Sequence, residues 1–153
     1  MIKVIKNILK PDLWPMYKEI ALAEEYKDSV AMKSLDTNVR LEIEKEMGKV
    51  AFLKNFFCQN LNARIDVNVN HMGILVVSDV EEIKFYRHKF TGLTNYAQVS
   101  QGVDQMFMLD GMDESLWDCY LKVRVQENEM VILPPKSFVQ IGQGFFEGIE
   151  FSI

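Results

Sequence analysis

The apolar positions change rhythm near residue 64: upstream they recur at spacings of three and four, downstream they alternate with polar residues. Over residues 12–28, Leu13, Met16, Tyr17, Ile20 and Ala23 share one helical face. Asp12 stands where a cap would, and Pro15 falls in the first turn, where a missing N–H breaks no bond. Residues 29–44 fit two patterns. Val39, Leu41 and Ile43 alternate with Arg40, Glu42 and Glu44 as a half-buried strand would, with Leu35-Asp36-Thr37-Asn38 as its turn. Against that, Val39, Ile43, Met47, Val50, Lys54, Phe57 and Leu61 keep helical spacing with Lys54 as the one polar break, so the pattern favours a helix to about residue 62.

Beyond Arg64 the pleat takes over. Ile65, Val67 and Val69 alternate with Asp66, Asn68 and Asn70, and Asn70-His71-Met72-Gly73 offers a turn. Ile74 to Val77 is a continuous run, and Ile83 to Phe90 follows, which predicts a three-stranded meander. Thr91 to Asp113 reads as a long connection with a short apolar island at Met106 to Leu109. Cys119, Leu121, Val123 and Val125 then alternate with Tyr120, Lys122, Arg124 and Gln126, and Asn128 marks a turn. Met130 to Leu133, Phe138 to Ile141 and Ile149 to Ile153 complete the strands, with a bend required at Pro134-Pro135, where no N–H can join a ladder. The expectation is an α+β fold: an N-terminal helical segment (1–62) packed on a C-terminal, mainly antiparallel β-sandwich or strongly curved sheet (63–153), in a single domain over 1–153.

Composition supports a foldable chain. At 153 residues with 48% hydrophobic and 25% charged residues it can bury roughly 70% of its unfolded surface, and it lacks the signature of disorder. Charge adds an asymmetry to the net −5: residues 1–60 carry ten basic against nine acidic side chains, the remainder seven against thirteen. An acidic surface repels phosphate backbones, which disfavours nucleic acid as a partner. Cys58 and Cys119 are the only cysteines, too few for a disulfide framework, so a reducing compartment is expected: cytoplasmic, or a particle assembled from the cytoplasm. Lys3, Lys6 and Lys10 interrupt the first apolar residues, and no apolar run approaches the roughly 18 residues that span a bilayer, so no membrane association is expected.

Candidate chemistry is thin. Gly142, Gly144 and Gly148 have the wrong spacing for a phosphate loop and read as turn or bulge glycines. Lys84, Phe85, Arg87 and His88 interleave cations with aromatics, the arrangement a strand uses to hold a ligand or stack single-stranded bases; the alternative is a strand with aromatics in the core and charges in water. Asp104, Asp110, Asp113, Glu114 and Asp118 form an acidic stretch without a calcium-loop pattern. His71 and His88 are the only histidines, so a metal centre needs both, or one with carboxylates such as Asp66 or Asp79. Cys58 and Cys119 both read as buried, and no serine has an acid-base neighbourhood. No catalytic, cofactor-binding or metal-binding residue is therefore assigned, and no cofactor is expected.

What remains is contact surface. Phe138, Phe145, Phe146 and Phe151 concentrate aromatic area in the C-terminal strands, either as an intersubunit surface or as intramolecular core. The leading expectation is a non-enzymatic interaction or assembly protein that pairs with itself or another protein, as in a homo-oligomeric or virus-like assembly. The second is a small-molecule-binding domain or hydrolase with a pocket between helix and sheet, using His71, His88 or the 104–118 acids. The third is a single-strand nucleic-acid binder using residues 84–90.

Overall fold

Serine 29 starts the longest helix: its Oγ accepts from the Met32 N–H at 3.1 Å, which satisfies one of the donors every helix leaves open at its start. This settles residues 29–44 as helix. The computed structural model describes residues 2–24, 29–60, 65–68, 70–94 and 114–153. Among them α1 spans Trp14–Leu22 and α2 spans Val30–Met47. At the start of α1 the expected Asp12 cap is replaced by Leu13, which gives no side-chain cap bond, while Pro15 lies in the first turn as expected.

Gly48, at φ +79°, ends α2 in a conformation that other residues adopt only under strain. The helix expected to run to residue 62 therefore stops, and Ala51–Asn60 forms strand β2 instead. Helical spacing misled because β2 is apolar on both sides. Phe52 and Phe57 pack towards the helices and Phe56 and Cys58 towards the opposite core, while a bulge between Phe52 and Lys54 breaks the alternation.

The other strands are β1 (Lys3–Ile5), β3 (Ile65–Val67), β4 (His71–Ser78), β5 (Glu82–His88), β6 (Trp117–Arg124), β7 (Met130–Leu133), β8 (Phe138–Ile141) and β9 (Gly144–Ser152). They form two antiparallel sheets, ordered β1-β7-β4-β9-β2 and β3-β8-β5-β6. The α+β class with helices packed on antiparallel sheets is as expected. The meander is not: β3 and β5 lie in the four-stranded sheet and β4 in the five-stranded one, because β4 finds its partners in β7 and β9. Pro134 and Pro135 sit where the chain leaves one sheet for the other, which is the bend that proline requires.

Two cores follow from the pleat. Ile74, Val76, Val131 and Phe146 of the five-stranded sheet meet Ile83, Phe85 and Val139 of the other. The opposite face, with Leu75, Val77, Met130, Ile132, Phe145, Ile149 and Phe151, packs against Tyr17, Ala21, Met32, Leu35, Val39 and Ile43 of the helices. The molecule is thus a three-layer stack of helices, five strands and four strands. No helix among the described residues is long and apolar enough to cross a membrane.

Glycine 148 is set by a ring. A Cβ built there would run into the Phe56 ring across the β2–β9 pair, so Gly148→Ala is expected to cost about 1–3 kcal/mol through displacement of the ring. Urea unfolding in a Phe56→Ala background checks the cause, because most of the penalty should disappear once the ring is gone.

Candidate functional site

Along β9, Phe145, Glu147, Ile149 and Phe151 share the face turned to the helices, which puts a carboxyl in the middle of an apolar row. Glu147 is 0% exposed. An isolated charge at such a place is very costly, so its partners decide its state. Its Oε1 accepts from the Tyr17 hydroxyl of α1 at 2.6 Å, and its Oε2 accepts from Asn55 Nδ2 of β2 at 3.2 Å. Its third partner is Asp36 of α2, carboxyl against carboxyl.

Two carboxyl groups in contact hold one proton between them, because both cannot ionise side by side. Burial, and then the Asp36 charge, push Glu147 well above the usual carboxylate range, against the pull of the hydrogen bonds from Tyr17 and Asn55. Burial also raises Asp36, while the hydrogen bond from Glu147 and the charge of Arg40 pull it down. Of the two, Glu147 is raised the more strongly, and Asp36 is the one that faces Arg40. Burial and the neighbouring Glu147 keep the Tyr17 phenol neutral well above its ordinary range.

Arg40 completes the cluster from the next turn of α2. Its Nη2 donates to Asn55 Oδ1 at 3.0 Å, and its guanidinium lies 5.1 Å from the centroid of the Phe52 ring. Asn55 thus accepts from Arg40 and donates to Glu147. Within this cluster Asp36 Oδ1 and Arg40 Nε are buried and have no partner among the described residues: an acceptor and a donor one helical turn apart. Aromatic rings wall the cluster. Trp14 stacks on Tyr17 at 5.2 Å and Phe57 on Phe145 at 6.0 Å, and Trp14 Nε1 donates to Glu127, which also takes Lys18 Nζ at 2.7 Å.

None of these five polar residues was singled out from the sequence. A signal existed for Glu147, since 145, 147, 149 and 151 are in phase and a charge at a core-facing position of a strand is rare. Asp36 and Arg40 flank the apolar stripe of Met32, Leu35, Val39 and Ile43 at a spacing of four, which reads equally well as a surface ion pair.

The sequence candidates lie elsewhere. Phe138, Phe145, Phe146 and Phe151 are all buried, so the aromatic C-terminal segment is intramolecular core rather than exposed surface. In the 84–90 patch, Phe85 and His88 are buried, Arg87 is exposed, and half-buried Lys84 lies 3.6 Å from Glu82; the four do not form one surface. His88 meets Trp117 edge to face at 5.6 Å. His71, on the other sheet, stacks on Phe151 at 5.3 Å. Burial lowers the pKa of both histidines. Asp104, Asp110 and Asp113 lie outside the described residues, and among those described no group of three His, Cys, Asp or Glu side chains could hold a metal ion. Cys58 is half-buried and its thiol pKa is raised by burial, but Cys119 is exposed, contrary to expectation. The reason is that β6 is the edge of its sheet, where neither face is fully covered. A cleft of about 530 Å³ opens between the 8–13 segment and α2, lined by Leu9, Leu13, Asn38, Leu41 and Lys45, so it borders helix and N-terminal segment rather than helix and sheet.

No protein-family profile matches the chain, and no curated protein matches it. Among solved structures the fold is similar to that of HygX from Streptomyces hygroscopicus, determined with nickel and 2-oxoglutarate bound. The TM-score is 0.59 at 8% identity, over 99% of this chain and 81% of that one. This likeness overturns the expectation of a non-enzymatic assembly or virus-like component, since the three-layer fold is one also found in a structure that holds a small molecule and a metal ion.

Proposed function

We propose that the chain is a small-molecule-binding domain or hydrolase whose working groups are Asp36 and Glu147, at the junction of helix and sheet. One observation carries the reading: a carboxyl pair holding one proton, fully buried at Glu147 and partly buried at Asp36, with an unmatched acceptor and an unmatched donor beside it. Leaving such atoms unpaired costs about 1–3 kcal/mol each, and a ligand that offers a donor to Asp36 Oδ1 and an acceptor to Arg40 Nε recovers that cost. Glu147 with its proton is an acid and ionised Asp36 a base, the division of labour that proton transfer to and from a bound molecule requires. Tyr17 and Asn55 hold Glu147 in one orientation, and Arg40 balances the remaining charge.

HygX holds nickel and 2-oxoglutarate, and the described residues do not fit that pair. His71 and His88 stand on different sheets, and the interior between the sheets presents apolar side chains rather than the converging imidazole and carboxylate donors a transition metal takes.

A thermal-shift screen of small amides, hydroxy compounds and carboxylates tests the reading. A ligand at one hundred times its dissociation constant adds about 2.7 kcal/mol to stability. The shift should appear in the wild type and shrink in both Asp36→Asn and Arg40→Met. A ligand that stabilises all three proteins equally, or a screen without any shift, would remove the proposal.

A further inference from the structure

We propose that the proton shared by Asp36 and Glu147 latches the helical layer onto the five-stranded sheet, and that its loss lets α1 and α2 part and admit a ligand. This rests on the reading of the carboxyl pair as the working site and adds how it is reached. With Glu147 0% exposed, no molecule touches it while the layers are closed.

The polar ties to a buried carboxyl meet at one place between these layers, while a second tie, Lys3 of β1 to Glu46 of α2, lies at the surface. Tyr17 of α1 donates to Glu147, Asp36 of α2 meets the same carboxyl, and Arg40 of α2 donates to Asn55 of β2. The groups packed about Glu147 from every element are Tyr17, Asp36, Arg40, Asn55, its cross-strand neighbours Phe57 and Leu75, and Phe145 and Ile149 of its own strand. Arg40 is the one cation among them; elsewhere on this face of the sheet His71 lies at the far end against Phe151, and Lys3 of β1 pairs with Glu46 of α2 at 3.8 Å. With the proton present, one negative charge faces one positive charge. Without it, two negative charges lie in contact away from water, and separation of the layers relieves them.

The sign follows. Glu147 holds its proton more tightly when closed than when open, so the closed state is fully favoured below the ordinary carboxyl range. It loses ground as pH rises from there through the raised value. In that window opening releases one proton, so each pH unit multiplies the open fraction by about ten.

Hydrogen exchange followed by mass spectrometry, without ligand, reads this between pH 5 and 9. After division by the intrinsic exchange rate, amides of α1 and α2 should open about tenfold more per pH unit within the window, while those of β5 and β8 stay level. Glu147→Gln, which carries its donor permanently, should flatten the α1 and α2 profile, and Asp36→Asn serves if that variant does not fold. A flat wild-type profile, an unchanged slope in the folded variant, or equal loss of protection in β5 and β8 would overturn the latch. Such a result leaves any ligand-induced shift in melting temperature standing, whereas a proton-dependent opening without ligand binding would sink the site and keep the latch.

Discussion

Asn128→Ala is expected to destabilise the protein by about 3–5 kcal/mol, although the residue lies in a turn. Its side chain works as a backbone clamp: Oδ1 accepts from Leu9 N–H at 3.0 Å and Nδ2 donates to Leu9 C=O at 2.8 Å. Its own carbonyl accepts from Ile8 N–H at 3.0 Å. Leu9 is buried, so removing the amide strands a donor and an acceptor out of reach of water, at about 1–3 kcal/mol each. Asn128 also sits at φ +65°, a conformation asparagine tolerates and alanine resists by about 1–2 kcal/mol. Asn128→Gly separates the two causes under urea unfolding. It should recover about 1 kcal/mol of the alanine loss and no more, because the clamp is still gone. If alanine costs under 1 kcal/mol, the 8–10 segment is held by something else.

Phe151→Ala should be as damaging, at about 3–5 kcal/mol. The ring is fully buried at the helix-facing end of β9, 6.3 Å from Phe52 and 5.3 Å from His71, with no route for water to fill the void. Phe90, 75% exposed, is the control, and its truncation should stay within about 0.5 kcal/mol. Near-equal effects at the two positions in calorimetry or denaturant titration would mean that Phe151 is not core.

The β half was legible because its strands are short apolar runs or alternations bounded by turn residues. The run 130–133 became β7, the alternation over 119–126 became β6, which starts two residues earlier at Trp117, and the break at Pro134-Pro135 became the passage between sheets. Strand β2 was illegible because the bulge at Phe52/Lys54 shifts the phase of its two apolar faces, and the resulting pattern matches helical spacing. The partnering of strands was equally hidden, since alternation reports that a residue faces a core without saying which core. The site eluded the reading because its acids are separated in sequence and each has an ordinary explanation alone. Asp36 resembles half of a helix-surface pair, Asn55 a polar residue on the solvent side of the expected helix, and Tyr17 a core aromatic with a polar tip. Only Glu147 violates a local rule, and violations of that kind are where function is most often found.

The placement of β9 between β4 and β2 carries a kinetic consequence. Tyr17 and Glu147 meet across 130 positions of chain, so the loop they close is among the most expensive in entropy to form. Until that closure, β2 and β4 each present a ladder edge to any neighbour, and the acid of β9 remains wet. Nascent or heat-stressed chains thus pass through a stage in which aggregation competes with docking, and the last group to be dried is the one on which the proposed chemistry depends.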